Sequence, residues 1–103
     1  MVKTRITKEE ILDFLKRQKQ RYSEAYNLTK LGLIGSFSRD EATIKSDIDL
    51  IVEFKPGTED LWERTESLRK SVKRKFKRDV DICTEKYIKP YYKKNILRDA
   101  IFI

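Results

Sequence analysis

The chain has 103 residues, 24 of them basic and 17 acidic, for a net charge of +7, and it contains no histidine. Imidazole catalysis and histidine metal sites are therefore excluded, and a single cysteine, Cys83, excludes an internal disulfide or a cysteine-clustered zinc site. A hydrophobic content of 39% suits one globular domain over residues 1–103. No apolar run reaches membrane-spanning length. The start, MVKTRITKEE, lacks the apolar core of a signal peptide, so a cytoplasmic protein is expected.

Thr7-Lys8-Glu9-Glu10 has capping-box spacing, with Thr7 as the cap. Ile11, Leu12, Phe14, Leu15, Tyr22 and Tyr26 follow with helical periodicity and predict a helix over Lys8–Ala25 whose apolar stripe packs on a sheet. Leu28–Ile34 reads as a first strand, in which Gly32 predicts a close approach by another backbone or side chain. Gly35-Ser36 ends it. A polar stretch, Phe37–Ser46, leads to a second strand over Ser46–Phe54 and a Pro56-Gly57 turn. Thr58 is expected to cap a second helix, with Glu59 and Asp60 in its first turn. Leu61, Thr65, Leu68, Val72 and Phe76 form its buried stripe, widened by Trp62. Asp79–Cys83 is a short third strand. A last helical segment starts at Thr84 or Glu85, with Pro90 in its first turn and Ile88, Tyr92, Ile96 and Leu97 on its apolar side. Ala100–Ile103 forms a final strand or a docked tail. The order α-β-β-α-β-α-β predicts an α/β (α+β) domain with a small mixed sheet packed with helices.

The chemistry concentrates in Leu31–Phe54. Alternate strand residues share a face, so Asp47 and Asp49 project together at the start of an otherwise apolar strand. Adjacent carboxylates repel, and desolvating them without a cation is costly. Hard oxygen donors suit Mg²⁺. Gly35-Ser36 offers small side chains and open backbone N–H groups where phosphates can be held. If the third strand lies beside the second, Asp81, flanked by Val80 and Ile82, joins the pair as a third carboxylate. The plain alternatives are ordinary ones: strand-edge acids, Ser36 as a helix cap, solvated Arg39 and Lys45, and Cys83 as a small buried hydrophobe.

Gly35-Ser36, ten residues, then Asp47-Ile48-Asp49, with Val80-Asp81-Ile82 downstream, resembles the signature of the DNA polymerase beta-like nucleotidyltransferase superfamily. The short chain is similar to its minimal nucleotidyltransferases, the MNT group, over about Leu28–Ile103, including the Ile88-Lys89-Pro90 and Ile96–Ala100 stretches. The resemblance implies a polymerase beta-like fold, with Gly35 and Ser36 holding the triphosphate of ATP. It implies that Asp47, Asp49 and Asp81 bind two Mg²⁺ ions, Asp81 also helping to activate the attacking hydroxyl. Many members carry a small residue and then Arg-Gly after the Gly-Ser pair. Here Phe37-Ser38-Arg39-Asp40 keeps the arginine as a phosphate contact and puts Asp40 in the glycine's place. Members of this size are commonly antitoxins paired with a HEPN-domain toxin ribonuclease, which implies a hetero-oligomer and AMP transfer to a toxin tyrosine.

Two other readings are carried from the sequence. One is a non-catalytic antitoxin that inhibits by contact. The other is a nucleic-acid binder using Arg69–Arg78, which holds seven basic residues and no acidic one, while the remainder of the chain balances at 17 of each sign.

Overall fold

In the computed structural model, which describes residues 5–103, helix α1 spans Lys8–Tyr26. Thr7 caps it as the spacing predicts, its Oγ1 accepting from the Glu10 N–H at 3.1 Å. Asn27 ends it at φ 55°, a left-handed conformation that asparagine tolerates. Ile11, Leu15 and Tyr22 are fully buried. The Tyr22 hydroxyl lies 2.7 Å from Ser71 Oγ and ties α1 to the helix that follows β2.

Four strands form one mixed sheet in the order β3-β2-β1-β4. Strand β1, Leu28–Ile34, runs antiparallel to both β2, Ile48–Phe54, and β4, Ile101–Phe102. Strand β3, Val80–Thr84, runs parallel to β2. That parallel pair requires a crossover, which α3, Leu61–Phe76, provides. The four-residue helix α2, Gly35–Ser38, leaves β1, and α4, Pro90–Asp99, connects β3 to β4.

Alternation along β2 separates the two faces. Ile48, Leu50, Val52 and Phe54 join the core with residues of α1 and α3. Asp49, Ile51 and Glu53 point to the opposite face. The close approach expected at Gly32 is present. A Cβ there would lie 2.9 Å from Phe102 Cδ1 and 3.0 Å from the Ile101 carbonyl, so a side chain would push β4 away.

Several expectations are corrected. Helix α3 begins at Leu61, with Asp60 at its cap position and no side-chain cap bond. Thr58 closes the preceding turn instead: its Oγ1 donates to the Lys55 carbonyl at 2.6 Å, and its N–H donates to the same oxygen at 3.2 Å. Glu59 and Asp60 thus precede the helix, and Glu63 is the acid of its first turn. Trp62 does not widen the buried face; it is 72% exposed. After β3 the chain makes a short 3₁₀ turn, Glu85–Tyr87, before α4 starts at Pro90, whose missing N–H costs nothing there. Tyr92 is exposed on α4 instead of packed. The tail resolves into a strand, because Gly32 and Leu33 pair with Phe102 and Ile101.

Candidate active site

The register places the carboxylates. Ile34 of β1 pairs with Asp49 of β2, and Asp49 pairs with Asp81 of β3. Residues in one such row point to one face, so Asp49 and Asp81 stand side by side on the face away from α1 and α3. Both line a cavity of about 150 Å³ together with Ile34, Gly35, Arg39 and Cys83. Side chains from α4 close it: Asn95, Ile96 and Asp99.

Gly35 stands at φ +79°, in the left-handed region, at the mouth of α2. A Cβ there would overlap the Asp49 carboxylate, with Asp49 Cγ at 2.9 Å and Asp49 Cβ at 3.0 Å. The glycine therefore serves two needs, the turn and the space the carboxylate occupies. Ser36 lies inside the first turn of α2, whose cap position is Ile34, so Ser36 is not a helix cap. Ser38 Oγ donates to the Gly35 carbonyl at 2.8 Å and holds the turn closed.

Asp49 is half-buried, and its carboxyl is raised above the usual carboxylate range. Loss of hydration is the main cause, followed by the charges of Asp81 and Asp47. Arg39 offsets part of this. Burial first, then Asp81 and Asp49, raises the Cys83 thiol. Asp47 sits one residue before β2, close enough to act on Asp49 but outside the cavity lining. Among the described residues no three acidic or thiol side chains already converge as a metal cage. The donor chemistry nonetheless fits a hard divalent cation. Oxygen donors dominate, three carboxylates (Asp49, Asp81 and Asp99) line the cavity, and the half-buried Asp49 carries a repulsion that a cation would relieve.

Arg39 lines the same cavity, and its Nε donates to Glu41 Oε1 at 2.7 Å. Asp40, which stands where a glycine is common, adopts φ 59°. It supplies the left-handed backbone that the glycine would give, and its carboxylate holds Lys8 Nζ at 2.8 Å. Asn95, Ile96, Asp99 and Cys83 were not among the residues that the motif suggested for the site. The i, i+1, i+4 spacing of the three on α4, which marks one helix face opposite the acidic row, is the signal that points to them.

The basic segment is not one uniform surface. Arg69 pairs with Glu66, Lys73 Nζ with Asp79 at 3.0 Å, and Lys75 lies over the Phe14 ring. Arg78 is turned inward and is only 3% exposed.

A glycine-led turn that opens onto paired acids of two adjacent strands, on a mixed sheet crossed by one helix, is the layout of a nucleotidyltransferase. Known proteins agree. A candidate protein adenylyltransferase of Methanocaldococcus jannaschii is 36% identical over 102 residues, covering 94% of this chain and 98% of the relative. The protein adenylyltransferase MntA of Thermococcus cleftensis is 28% identical over 100 residues, covering 95% and 97%. Among solved structures, a candidate minimal nucleotidyltransferase superposes with TM-score 0.78 at 23% identity, covering 95% of this chain and 97% of that one. A toxin–antitoxin complex with AMP-PNP matches in one chain with TM-score 0.59 at 18% identity, covering 94% and 72%. The chain belongs to the nucleotidyltransferase domain family, whose model matches residues 8–103.

Proposed function

We propose that this chain is the antitoxin of a HEPN-domain toxin and transfers AMP from ATP to a hydroxyl of that toxin. The observation that carries the reading is the row that sets Asp49 beside Asp81 and leaves Gly35 without a Cβ against the Asp49 carboxylate. The M. jannaschii and T. cleftensis relatives bear adenylyltransferase names, and the toxin–antitoxin neighbour carries AMP-PNP, which supports ATP as donor.

In this reading Gly35 and Ser36 seat the triphosphate in the turn that leaves β1. Arg39 exchanges Glu41 for a phosphate oxygen, a charge-assisted contact. Asp47, Asp49 and Asp81 would hold two Mg²⁺ ions, which would supply neutralisation of the charge that develops during transfer. Asp81 also accepts the proton of the attacking hydroxyl. The hydroxyl oxygen bonds to the α-phosphorus, the bond to the β-phosphate oxygen breaks, and pyrophosphate leaves.

The test is a transfer assay. The protein is mixed with ATP, Mg²⁺ and the HEPN-domain protein encoded beside it, and the partner's mass is read. A gain of one or more AMP units, absent with Asp47→Ala/Asp49→Ala, is the expected result. A tight complex without mass gain refutes transfer in favour of inhibition by contact. Salt-sensitive RNA or DNA binding without transfer favours the nucleic-acid reading instead.

A further inference from the structure

The basic segment contains one residue that behaves unlike its neighbours. Arg78 is 3% exposed, although burying a guanidinium is costly unless its donors and charge are satisfied. Its partners are informative. Nη1 donates to the Ser46 carbonyl at 2.8 Å and reaches the Thr43 carbonyl at 3.5 Å. Its guanidinium carbon lies 5.8 Å from the centre of the Phe37 ring.

These three partners adjoin residues of the proposed site in the chain. Thr43 and Ser46 close a turn on themselves, with the Ser46 N–H donating to the Thr43 carbonyl at 3.1 Å and the Thr43 N–H to Ser46 Oγ at 2.8 Å. Asp47 follows directly. On its other side the Ile48 N–H donates to the Asp79 carbonyl at 2.9 Å. Asp47 is thus held on one flank by the side chain of Arg78 and on the other by the backbone of Asp79. Phe37 follows Ser36 in α2, so the same guanidinium touches the turn proposed to hold phosphate.

We propose that Arg78 is a positioning residue for the nucleotidyl-transfer site. It fixes the Thr43–Ser46 turn and α2 relative to one another, and so sets Asp47 for metal and Ser36 for phosphate. Seated at the entrance to β3, it couples the strand that carries Asp81 to the turn that carries Asp47. This rests on the proposed function above.

The test measures binding. Mn²⁺ with AMP-PNP is titrated into the wild-type chain, Arg78→Met, Arg78→Lys and the exposed control Lys70→Met, with free Mn²⁺ read by electron paramagnetic resonance. Thermal melts and circular dichroism establish the folded fraction. Residues that orient metal ligands typically change metal affinity by about 10–100-fold when replaced. Arg78→Met keeps apolar bulk against Phe37 but loses the donors, and is expected to weaken Mn²⁺ binding by about 10-fold. Arg78→Lys retains a cationic donor that can reach one carbonyl, and is expected to fall between that variant and wild type. Lys70→Met binds as wild type. A merely structural arginine would lower the melting temperature and leave the constant of the folded fraction unchanged. That result, for Arg78→Met or for Arg78→Lys if Arg78→Met does not fold, overturns the proposal. A wild-type chain that binds no Mn²⁺ with AMP-PNP refutes the functional reading and the role of Arg78 with it.

Discussion

Two glycines in this chain share a backbone conformation and differ in their surroundings, which allows steric and conformational costs to be separated. Gly35 stands at φ +79° and Gly57 at φ +80°. A Cβ at Gly57 meets nothing within 4 Å, whereas a Cβ at Gly35 overlaps the Asp49 carboxylate. Placing an L-residue in the left-handed region costs about 1–2 kcal/mol. Restricting the unfolded chain returns about 0.4–1 kcal/mol. Gly57→Ala should therefore lose about 0–1.5 kcal/mol. Gly35→Ala bears the same cost plus displacement of a half-buried carboxylate by about 1 Å, for which overpacking values of about 1–3 kcal/mol apply. Its total is about 1–4.5 kcal/mol, always about 1–3 kcal/mol above that of Gly57→Ala. At ~4–8 °C per kcal/mol for a domain of this size, the two variants should melt at clearly separate temperatures. Thermal denaturation followed by circular dichroism measures this, and a titration with Mg²⁺ and AMP-PNP follows on the same samples. Gly57→Ala should bind as wild type, and Gly35→Ala should bind at least about tenfold more weakly because Asp49 has moved. Equal melting temperatures for the two variants, or unchanged nucleotide affinity in Gly35→Ala, would refute the claim that this glycine is held by the carboxylate beside it.

Asp49→Asn should raise the melting temperature in EDTA, because it removes a desolvated charge facing Asp81 and Asp47. Asp49 has a raised folded-state pKa, so its contribution is fully present below the unfolded value and lost as pH rises through the folded one. Metal-free wild type should therefore gain on the Asp49→Asn variant as pH falls through the carboxylate range. Addition of Mg²⁺ with nucleotide should stabilise only the wild type, by about 2.7 kcal/mol at a hundredfold excess over Kd. Tyr22 is raised by burial first, with the Ser71 hydrogen bond acting the other way. Its contribution is complete below the ordinary tyrosine value of 10.0 and is lost as pH rises above it, so the stability difference between wild type and Tyr22→Phe should shrink on titration into that range. At neutral pH Tyr22→Phe should cost about 0.5–1.5 kcal/mol in chemical denaturation, for the bond to Ser71. Asp40→Gly should lie within about 1 kcal/mol of wild type, since glycine takes the left-handed conformation freely and only a surface ion pair to Lys8 is lost. Asp40→Val should cost about 1–3 kcal/mol, because a β-branched residue is strained at φ 59°.

The sheet and the acidic row were legible because a period of two leaves little choice. Once Leu50 and Val52 face the core, Asp49 must face away, and Val80 and Ile82 do the same for Asp81. Gly32 was legible because an unsubstituted strand residue advertises the neighbour that needs its space. The start of α3 was misread because a threonine before a helical stripe has two uses. Here the Pro56-Gly57 turn captures both Thr58 donors on the Lys55 carbonyl. Trp62 and Tyr92 were misplaced for another reason: residue type states that burial is favourable, but only the fold states whether a face is available. Arg78 was hidden in a run of like charges. Its role depends on carbonyls 32 and 35 residues away, and no local pattern encodes that separation.

The alignment of Asp49 with Asp81 also bears on how the chain avoids assembling its sheet wrongly. Strand β2 is apolar at five of its seven positions and β3 at three of its five, and the carboxylates add to what this alternating pattern already specifies about register. A slip of one residue would reverse the faces of β3. Val80 and Ile82 would leave the core, and Asp81 would enter it beside Leu68 and Val72, an unpaired carboxylate among aliphatic side chains at a cost of several kcal/mol. The carboxylates that strain the finished fold thus penalise its misaligned competitors more heavily. Replacing Asp81 with an aliphatic residue should relieve the native state and, at the same time, admit a second sheet alignment during refolding.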